Sequence, residues 1–332
     1  MPIDWPQFVD IVNSHQRFLL SCHIRPDCDS LGSELGMMMI LEALGKEVAI
    51  VNGHATPPNL AFIDPDNRIQ VLSDAPEVMA ALDSAEVMMV LDTSSWAQLG
   101  PMSDVLRNTK AKKVVLDHHA IGDDLGAIEF KNSKAESTGG LVAEAAEALG
   151  IALTPESAMP LFAAVSTDTG WFRFPSAKAH TYELAARLIE AGADPPSIFR
   201  ELYEQDTLGR VKLRGRILER FTAEMDGRLL HTFVRFTDFE ETGALPSDTE
   251  DAINMGLAVH GSEVATILVE LSTGSFKVSF RARGRIDCSQ VAASFGGGGH
   301  KAAAGATIDG PFEVAQKRVL DAVREAMNDG SD

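Results

Sequence analysis

The sequence is poor in cysteine and in long apolar runs, and each shortage excludes a class of protein. Its three cysteines, Cys22, Cys28 and Cys288, are an odd number, which argues against a disulfide framework and for a reducing compartment. The apolar run VMMVL at 87–91 is far shorter than the roughly 18 residues of a membrane helix. The N-terminal segment has no basic region before an apolar block. We therefore expect a cytoplasmic protein without a membrane partner.

Basic residues are also scarce, since 29 Lys and Arg stand against 48 Asp and Glu and the formal net charge is −19. A field of this sign repels polyanions at long range, so we expect no binding of long duplex DNA. A small anionic substrate in a locally basic pocket is still allowed. The 45% hydrophobic content is ample for the cores of two ordinary domains. The sequence is also compatible with a homodimer.

The N-terminal part alternates short apolar blocks with amphipathic segments. The blocks are FLLSC (18–22), EVAIVN (47–52), VMMVLDT (87–93) and KKVVLDHH (112–119). This alternation predicts an α/β fold with a doubly wound, mainly parallel sheet. The segment from Asp29 to Glu47 predicts a packed helix that includes Met37–Met39. After residue 137 the pattern becomes helical.

The C-terminal part predicts a smaller, separate α/β domain. From about residue 227 the order is strand, helix, strand, strand, closed by a helix at 311–329. The charged stretch 199–221 contains no proline and predicts one connecting helix. We expect a catalytic domain at 1–190, a helical linker at 191–225 and a substrate-binding domain at 226–330.

Acidic and histidine side chains follow three of the predicted strands. They lie at the carboxyl ends, where open α/β sheets bind ligands. Singly, Asp92 could cap a helix, the histidines could lie on the surface and Asp168 could form a turn. Together, oxygen and imidazole donors without a thiolate favour Mn²⁺ or a similar ion, and crowded carboxylates also require a cation. The candidates are His23, Asp27, Asp29, Asp92, Asp117, His118, His119 and Asp168.

Four motifs in this order, HIRPDCDS, VLDTS, LDHH and STDTGWF, resemble those of the DHH phosphoesterase superfamily. SFRARGRIDCSQVAASFGGGGHKAAAGA resembles the signature of the DHHA1 domain that accompanies one branch of it. The match spans about 18 to 306, and the arrangement is most similar to stand-alone nanoRNases that also dephosphorylate 3′-phosphoadenosine 5′-phosphate (pAp). Cys28 stands where a glycine or another small residue is common, but it removes no ligand.

The resemblance implies two Mn²⁺ ions, with Mg²⁺ or Co²⁺ as substitutes. One ion would be held by His23, Asp27 and Asp92. The other would be held by Asp29, Asp92, His118 and Asp168. Asp117 would orient the histidines, and His119 would face the scissile phosphate. Asp92, Asp117 and His119 are therefore the expected catalytic residues.

A glycine run and a basic island lie near the C-terminus. Between 275 and 301 five basic residues stand against the single acid Asp287. Strand alternation predicts that Arg281, Arg283 and Arg285 share a face. A solvated surface is the simpler interpretation for Lys277 and Arg285, whereas the resemblance places Arg281 in the substrate cleft. The expected substrate-binding residues are Arg281, Arg283, Gly297, Gly298, Gly299, His300 and Lys301.

Two short segments have mainly structural interpretations. Trp171 and Phe172 follow Asp168 and could stack a base, but packing beside the metal site is favoured. The sequence STGG at 137–140 predicts a helix cap, with substrate contact by Ser137 or Thr138 as the alternative.

The expected function is a two-metal phosphohydrolase acting on very short RNA and pAp. Hydrolysis of cyclic or linear dinucleotides, of the c-di-AMP or pApA type, is the enzymatic alternative because the same core serves it. A non-catalytic nucleotide-binding regulator is the alternative from another class. Such a regulator would be expected to lack ligands, whereas every expected ligand is present here.

Overall fold

Two six-stranded sheets organise residues 3–329, the part of the chain that this computed structural model describes. Residues 1, 2 and 330, at the ends of the predicted domains, lie outside the described residues. The chain divides between Gln205 and Asp206, and the two parts are called unit 1 and unit 2 below. None of the helices between residues 3 and 329 combines the length and the apolar composition that a bilayer crossing requires.

All neighbouring strands of the unit 1 sheet are parallel, in the order β3-β2-β1-β4-β5-β6. The four predicted strands are present, and two short strands, β3 and β6, were not predicted. Neither carries the long apolar run that marks a buried strand. The strands are β1 (Arg17–Ser21), β2 (Glu47–Asn52), β3 (Ile69–Val71), β4 (Val87–Leu91), β5 (Lys112–Asp117) and β6 (Ile128–Lys131).

Helices cover both faces of this sheet, so the predicted doubly wound fold is confirmed. Alternate side chains of one strand enter two different cores, as Leu20 and Leu19 of β1 do. A 3₁₀ helix spans Pro58–Ile63. The α-helices are α1 (Trp5–Ser14), α2 (Cys28–Ala43), α3 (Pro76–Ser84), α4 (Trp96–Leu99), α5 (Met102–Asn108), α6 (Thr138–Ala148), α7 (Pro155–Asp168), α8 (Ala179–Glu190) and α9 (Pro195–Tyr203).

Helices α2 and α7 lie unusually close together because glycine lines their contact. A Cβ at Gly32 would overlap the carbonyl oxygen of Pro160, and one at Gly36 would lie 2.5 Å from the Leu161 side chain. The flanking Met37 and Met38 are buried in the same core, which confirms the packed helix. The close contact fixes the first residues of α2 relative to the end of α7.

Unit 2 contains a mixed sheet in the order β11-β12-β10-β9-β8-β7, in which only the β8–β9 pair is parallel. One face packs on α13 and α14, and the other packs on α10 to α12. A 3₁₀ helix spans Pro246–Thr249. The elements are α10 (Leu208–Glu219), β7 (Thr222–Glu224), β8 (Leu229–Val234), α11 (Phe236–Thr242), α12 (Asn254–Leu257), β9 (Val264–Glu270), β10 (Phe276–Ala282), α13 (Cys288–Ala293), β11 (Gly298–His300), β12 (Ala303–Ile308) and α14 (Phe312–Asp329).

The prediction of one connecting helix over 199–221 was wrong. Helix α9 ends at Tyr203 and α10 begins at Leu208, with Thr207 as the N-cap that accepts a hydrogen bond from the Arg210 N–H. This capping side chain starts a new helix at Leu208, so the helical path is interrupted without a proline. The break includes the division between the two units, so each helix belongs to a different one.

Candidate metal centre

The candidate site lies where the order of the unit 1 strands reverses. Strands β1 and β4 are neighbours, but the chain leaves them in opposite directions across the sheet. Such a switch point opens a crevice at the carboxyl ends of the strands. His23 follows β1, Asp92 follows β4, and Asp117 ends β5, so the sheet itself gathers these distant residues.

His23 is held by its own backbone region. Its Nδ1 lies 3.0 Å from the Ile24 carbonyl oxygen, so Nδ1 donates and Nε2 is left for other partners. Nε2 lies 3.7 Å from Asp27 Oδ1 and 3.4 Å from Asp92 Oδ2. Burial lowers the pKa of His23, but hydrogen bonding to Asp27 and Asp92 outweighs it and raises the pKa to about 11. The two carboxylates therefore strongly favour a positive charge at this point.

The first turn of α2 supplies two carboxylates with different environments. Asp27 is the N-cap, and its side chain accepts a hydrogen bond from the Ser30 N–H at 3.0 Å. Asp29 is buried and accepts hydrogen bonds from the backbone N–H groups of Thr138 and Gly139 at 2.8 and 2.9 Å. The N-terminus of α6 thus binds this carboxylate, as helix N-termini bind anions.

The charge on Asp29 is only partly compensated by those two hydrogen bonds. Burial raises the pKa of Asp29 well above its usual value, and the negative charges of Asp92 and Asp168 raise it further. Such crowding of buried carboxylates is costly unless a cation is present. The electrostatics of the site therefore favour a bound metal ion.

Asp92 has a left-handed backbone, with φ of 63°. This conformation is uncommon outside glycine, although Asp and Asn tolerate it better than other residues. The Asp92 carboxylate is buried, and its Oδ1 accepts a hydrogen bond from Thr138 Oγ1 at 2.8 Å. In this conformation Asp92 Oδ2 lies 3.4 Å from His23 Nε2, and Oδ1 lies 3.6 Å from His118 Nε2.

The two histidines after β5 both lie near Asp92 Oδ1, His118 Nε2 at 3.6 Å and His119 Nδ1 at 3.7 Å, but they differ in their other partners. His118 Nε2 lies 3.6 to 3.7 Å from oxygens of Asp29, Asp92 and Asp168, the last residue of α7. His119 Nδ1 lies 2.8 Å from Asp117 Oδ1. Asp117 is fully buried. His118 therefore belongs with the carboxylates, and His119 is oriented by Asp117.

Three groups of these side chains could hold a metal ion, because the ligand atoms within each group lie within 4.8 Å of one another. Their donors are carboxylate oxygens and imidazole nitrogens, which suit Mn²⁺ and similar ions. Asp92 belongs to two of the groups. The groups are Asp92–His118–His119, His23–Asp27–Asp92 and Asp29–His118–Asp168.

A cavity of about 580 Å³ adjoins the centre within unit 1. His23, Asp92 and His119 line one side of it, while Arg25 and Ile121 belong to the same lining. Arg25 also has a left-handed backbone, and its N–H donates to His54 Nδ1 at 3.3 Å. Arg25 could not be predicted as a cavity residue from the sequence, because no periodicity marks it.

The segment STGG does more than cap a helix. Ser137 Oγ accepts a hydrogen bond from the Gly140 N–H, as the capping prediction requires. Thr138 and Gly139 instead bind Asp29, a contact that no local pattern indicates because the partners are more than 100 residues apart. Trp171 and Phe172 are partly buried and pack edge-on or tilted against Phe162, which is consistent with a packing role.

In unit 2, Arg281 lies on β10 and lines a cavity of about 280 Å³ with Lys277 and Ser279. Arg283 and Arg285 lie beyond the end of this strand, so the strand alternation that predicted a shared face does not extend to them. Strand β10 ends at Ala282, and Gly284 turns the chain with a φ of 84°. Both arginines are exposed.

The glycine run forms an edge strand, β11, and two of its glycines are required by close backbone contact. A Cβ at Gly297 would overlap the Gly305 carbonyl oxygen, and one at Gly299 would lie 2.5 Å from the Ala303 carbonyl oxygen. A Cβ at Gly298 would meet open space. His300 and Lys301 follow on the exposed edge, while Arg281 pairs with Ala303, which pairs with His300.

A doubly wound unit with carboxylate and imidazole side chains gathered at its switch point is typical of metal-dependent α/β enzymes. A family model described as the N-terminal domain of the DHH family matches residues 17–165, and one for the DHHA1 domain matches residues 226–329. The chain belongs to the DHH family of phosphoesterases, as the motif resemblance predicts.

The chain is similar to two curated bacterial proteins along most of its length. One is the bifunctional oligoribonuclease and PAP phosphatase NrnA of Thermus thermophilus, to which the chain is 31% identical. The aligned region covers 93% of this chain and 89% of that protein. The chain is 26% identical to the protein of that name from Bacillus subtilis, covering 91% and 92% of the two chains. A crystal structure of an exopolyphosphatase-related protein from Bacteroides fragilis shares the fold, with 24% identity, a TM-score of 0.82 and coverage of 99% and 97%.

Proposed function

We propose that this chain is a two-metal, Mn²⁺-dependent phosphohydrolase that degrades very short oligoribonucleotides and removes the 3′-phosphate from pAp. Its relatives named as oligoribonucleases and PAP phosphatases support this substrate choice. We further propose that it acts in the cytoplasm, without a membrane or long-duplex-DNA partner. Sedimentation analysis distinguishes a monomer from a homodimer.

The observation that carries the proposal is the position of Asp92 between two sets of ligand atoms. His23 and Asp27 lie on one side of this carboxylate, and His118 lies on the other. In the proposed assignment one ion is held by His23, Asp27 and Asp92. The second is held by Asp29, Asp92, His118 and Asp168. Divalent ions held by these residues would polarise phosphoryl oxygens and would lower the pKa of a bound water.

The protein's own side chains position the substrate and handle protons. His119 lines the cavity, and its Nδ1 is engaged by Asp117. Its Nε2 is therefore the atom proposed to contact the scissile phosphate. In unit 2, Arg281 and His300 are proposed to bind another phosphate of the substrate, supported by Arg283, Lys301 and the backbone of Gly297, Gly298 and Gly299.

Net charge supports a preference for short substrates. With a formal net charge of −19, the surface repels a long polyanion at every phosphate that lacks a specific contact. A dinucleotide or pAp brings few phosphates, and the proposed basic side chains can compensate them. We therefore expect activity to decrease as the strand lengthens.

The test is Mn²⁺-dependent hydrolysis of pAp, RNA of two to five nucleotides, a 24-mer and a cyclic dinucleotide. Asp92→Asn is the informative variant, because asparagine tolerates the left-handed backbone and keeps an acceptor for Thr138. It should abolish turnover and reduce metal content without unfolding the chain. Asp66→Asn, an exposed change in the same unit, should behave as wild type. Turnover of pAp by Asp92→Asn near the wild-type rate would refute the shared-ligand assignment.

Variants of unit 2 test the substrate-binding residues. Arg281→Ala or His300→Ala should weaken dinucleotide binding by roughly 1–3 kcal/mol per lost contact, with metal content unchanged. Arg285→Ala is the matched control, since a solvated position was the simpler interpretation for it. If both variants match wild type, the proposed phosphate binding by unit 2 is wrong. If the 24-mer is degraded as fast as the dinucleotide, the proposed preference for short substrates is wrong. Preferential cleavage of the cyclic dinucleotide would favour the alternative function.

A further inference from the structure

Asp117 is a fully buried carboxylate whose two oxygens have separate sets of partners. Oδ1 accepts hydrogen bonds from the backbone N–H and the Nδ1 of His119, at 3.0 and 2.8 Å. Oδ2 accepts a hydrogen bond from Ser94 Oγ at 2.8 Å and lies 3.2 Å from Lys131 Nζ. These four contacts match the acceptor capacity of a carboxylate.

Ser94 and Lys131 also contact each other, so the three side chains form a closed triangle. Lys131 Nζ donates to Ser94 Oγ at 2.5 Å. Strand register supports the arrangement, because Asp117 of β5 pairs with Lys131 of β6. Neighbouring residues in register on parallel strands point to the same face of the sheet. Lys131 is therefore placed beside the buried carboxylate by the fold itself.

The loop after β5 packs over this triangle. A Cβ at Gly122 would overlap Ser94 Oγ and lie 2.8 Å from Lys131 Nζ. The next residue, Asp123, donates its N–H to the Ser94 carbonyl oxygen at 2.6 Å and accepts from the Trp96 N–H at 2.8 Å. The glycine thus lets the loop cover Ser94, which is buried.

We propose that Ser94 and Lys131 are positioning residues that fix the Asp117 carboxylate and, through it, the ring orientation and tautomer of His119. This inference rests on the proposed function, in which His119 contacts the substrate. With Oδ2 engaged by Ser94 and Lys131, Oδ1 stays directed at the His119 Nδ1–H. The unprotonated Nε2 is then the His119 nitrogen that faces the cavity.

The same contacts explain what removal of Lys131 would do. Without Ser94 and Lys131, Oδ2 would be buried without a donor, which is unfavourable. The carboxylate would then rotate toward other donors and release the His119 ring. Small misplacements of a group that contacts the substrate reduce turnover much more than binding. The expected signature is therefore a loss of kcat with KM nearly unchanged.

The kinetic test uses Lys131→Met and Ser94→Ala in the full chain, with pAp as substrate. We expect kcat to fall by about 10- to 100-fold for Lys131→Met, with KM and metal content close to wild type. Lys131→Arg keeps the cationic donor and should recover most of the loss. Lys134→Met removes an exposed lysine three residues away and should have no effect.

A second readout does not depend on turnover. ¹⁵N NMR of histidine-labelled protein, loaded with Mg²⁺ to avoid paramagnetic broadening, reports which His119 nitrogen carries the proton. His119→Asn assigns the signal, and the pH is set so that the ring is neutral. Wild type and Lys131→Arg should show the Nδ1–H tautomer. The Ser94→Ala/Lys131→Met double variant should show a mixture with the Nε2–H tautomer.

Two results would overturn the inference. One is an unchanged His119 tautomer in the double variant together with kcat within twofold of wild type. The other is a kcat loss that merely follows a loss of folded protein or of metal, with the tautomer unchanged. If wild type hydrolyses neither pAp nor a dinucleotide, the proposed function fails, while the NMR measurement still decides the role of Ser94 and Lys131.

Discussion

Replacing Gly32 by alanine tests how closely α2 must approach α7. The added Cβ would overlap the Pro160 carbonyl oxygen and lie 2.9 Å from the Ala164 Cβ, about 0.5–1 Å short of ordinary van der Waals contact. Neither neighbour is the end of a flexible side chain, so the helices must separate. Overpacking of this severity destabilises a folded protein by about 3 kcal/mol. The higher helix propensity of alanine offsets about 1 kcal/mol of that loss. We expect a net destabilisation of unit 1 by about 2 kcal/mol.

Gly215→Ala is the matched control, because Gly215 also lies inside a helix but its added Cβ would meet nothing within 4 Å. The same substitution should therefore stabilise unit 2 by up to about 1 kcal/mol. The two variants share the propensity gain and differ in the clash. Their opposite signs would isolate the packing cost.

Thermal unfolding followed by tryptophan fluorescence measures the effect in the right unit. All three tryptophans, Trp5, Trp96 and Trp171, lie in unit 1. The unfolding midpoint measured by fluorescence should fall by roughly 4–8 °C for Gly32→Ala. It should stay unchanged for Gly215→Ala, because that variant stabilises unit 2, and calorimetry would detect this stabilisation. Turnover should also fall for Gly32→Ala, since α2 carries Asp29 and α7 carries Asp168. An unfolding midpoint at or above wild type for Gly32→Ala would refute the close-packing argument.

Three further predictions concern single contacts. Thr138→Val removes the hydrogen bond to Asp92 but keeps the backbone N–H donated to Asp29, so kcat should fall about tenfold in steady-state assays. Burial raises the pKa of the Cys28 thiol to about 12, so iodoacetamide should label this thiol slowly at pH 8. Cys28→Gly should keep kcat within a few-fold of wild type. A loss of kcat as severe as that of Asp92→Asn would mean that Cys28 is a ligand. Burial alone would raise the pKa of Asp238, but hydrogen bonds from Arg220 and Arg216 outweigh it and lower the pKa to about 2. Because this folded-state pKa lies below the unfolded value, unit 2 should lose stability as pH falls from about 4 through 2. Calorimetry should show little of that pH dependence for Asp238→Asn, and an unchanged dependence would contradict the pairing.

The sequence predicted which side chains meet at the carboxyl ends of the unit 1 strands, because these side chains follow a local rule. His23, Asp92 and Asp117 each come at the end of an apolar block, and the carboxyl ends of parallel strands meet at one edge. No structure is needed to expect those residues together. The same local patterns located the long buried strands and the closing helix α14.

The supporting contacts could not be predicted, because they join residues without any shared periodicity. Thr138 binds Asp29 across more than 100 residues, and Lys131 reaches Asp117 from a short strand with no apolar signature. The linker was mispredicted for a related reason. Thr207 starts a new helix through a capping hydrogen bond, and this signal is hard to recognise within a run of helix-compatible residues.

Two of the proposed metal ligands, Asp27 and Asp168, are under unequal structural constraint. Asp27 caps α2. A homologue that had lost catalytic activity would therefore still gain about 1 kcal/mol of folding stability by keeping Asp, Asn, Ser or Thr at this position. Asp168 closes α7, where a negative charge opposes the helix dipole and gains nothing for folding. Drift after loss of activity should therefore appear first at position 168. In related genomes, an intact residue at 168 is the better marker of a working enzyme than an intact residue at 27.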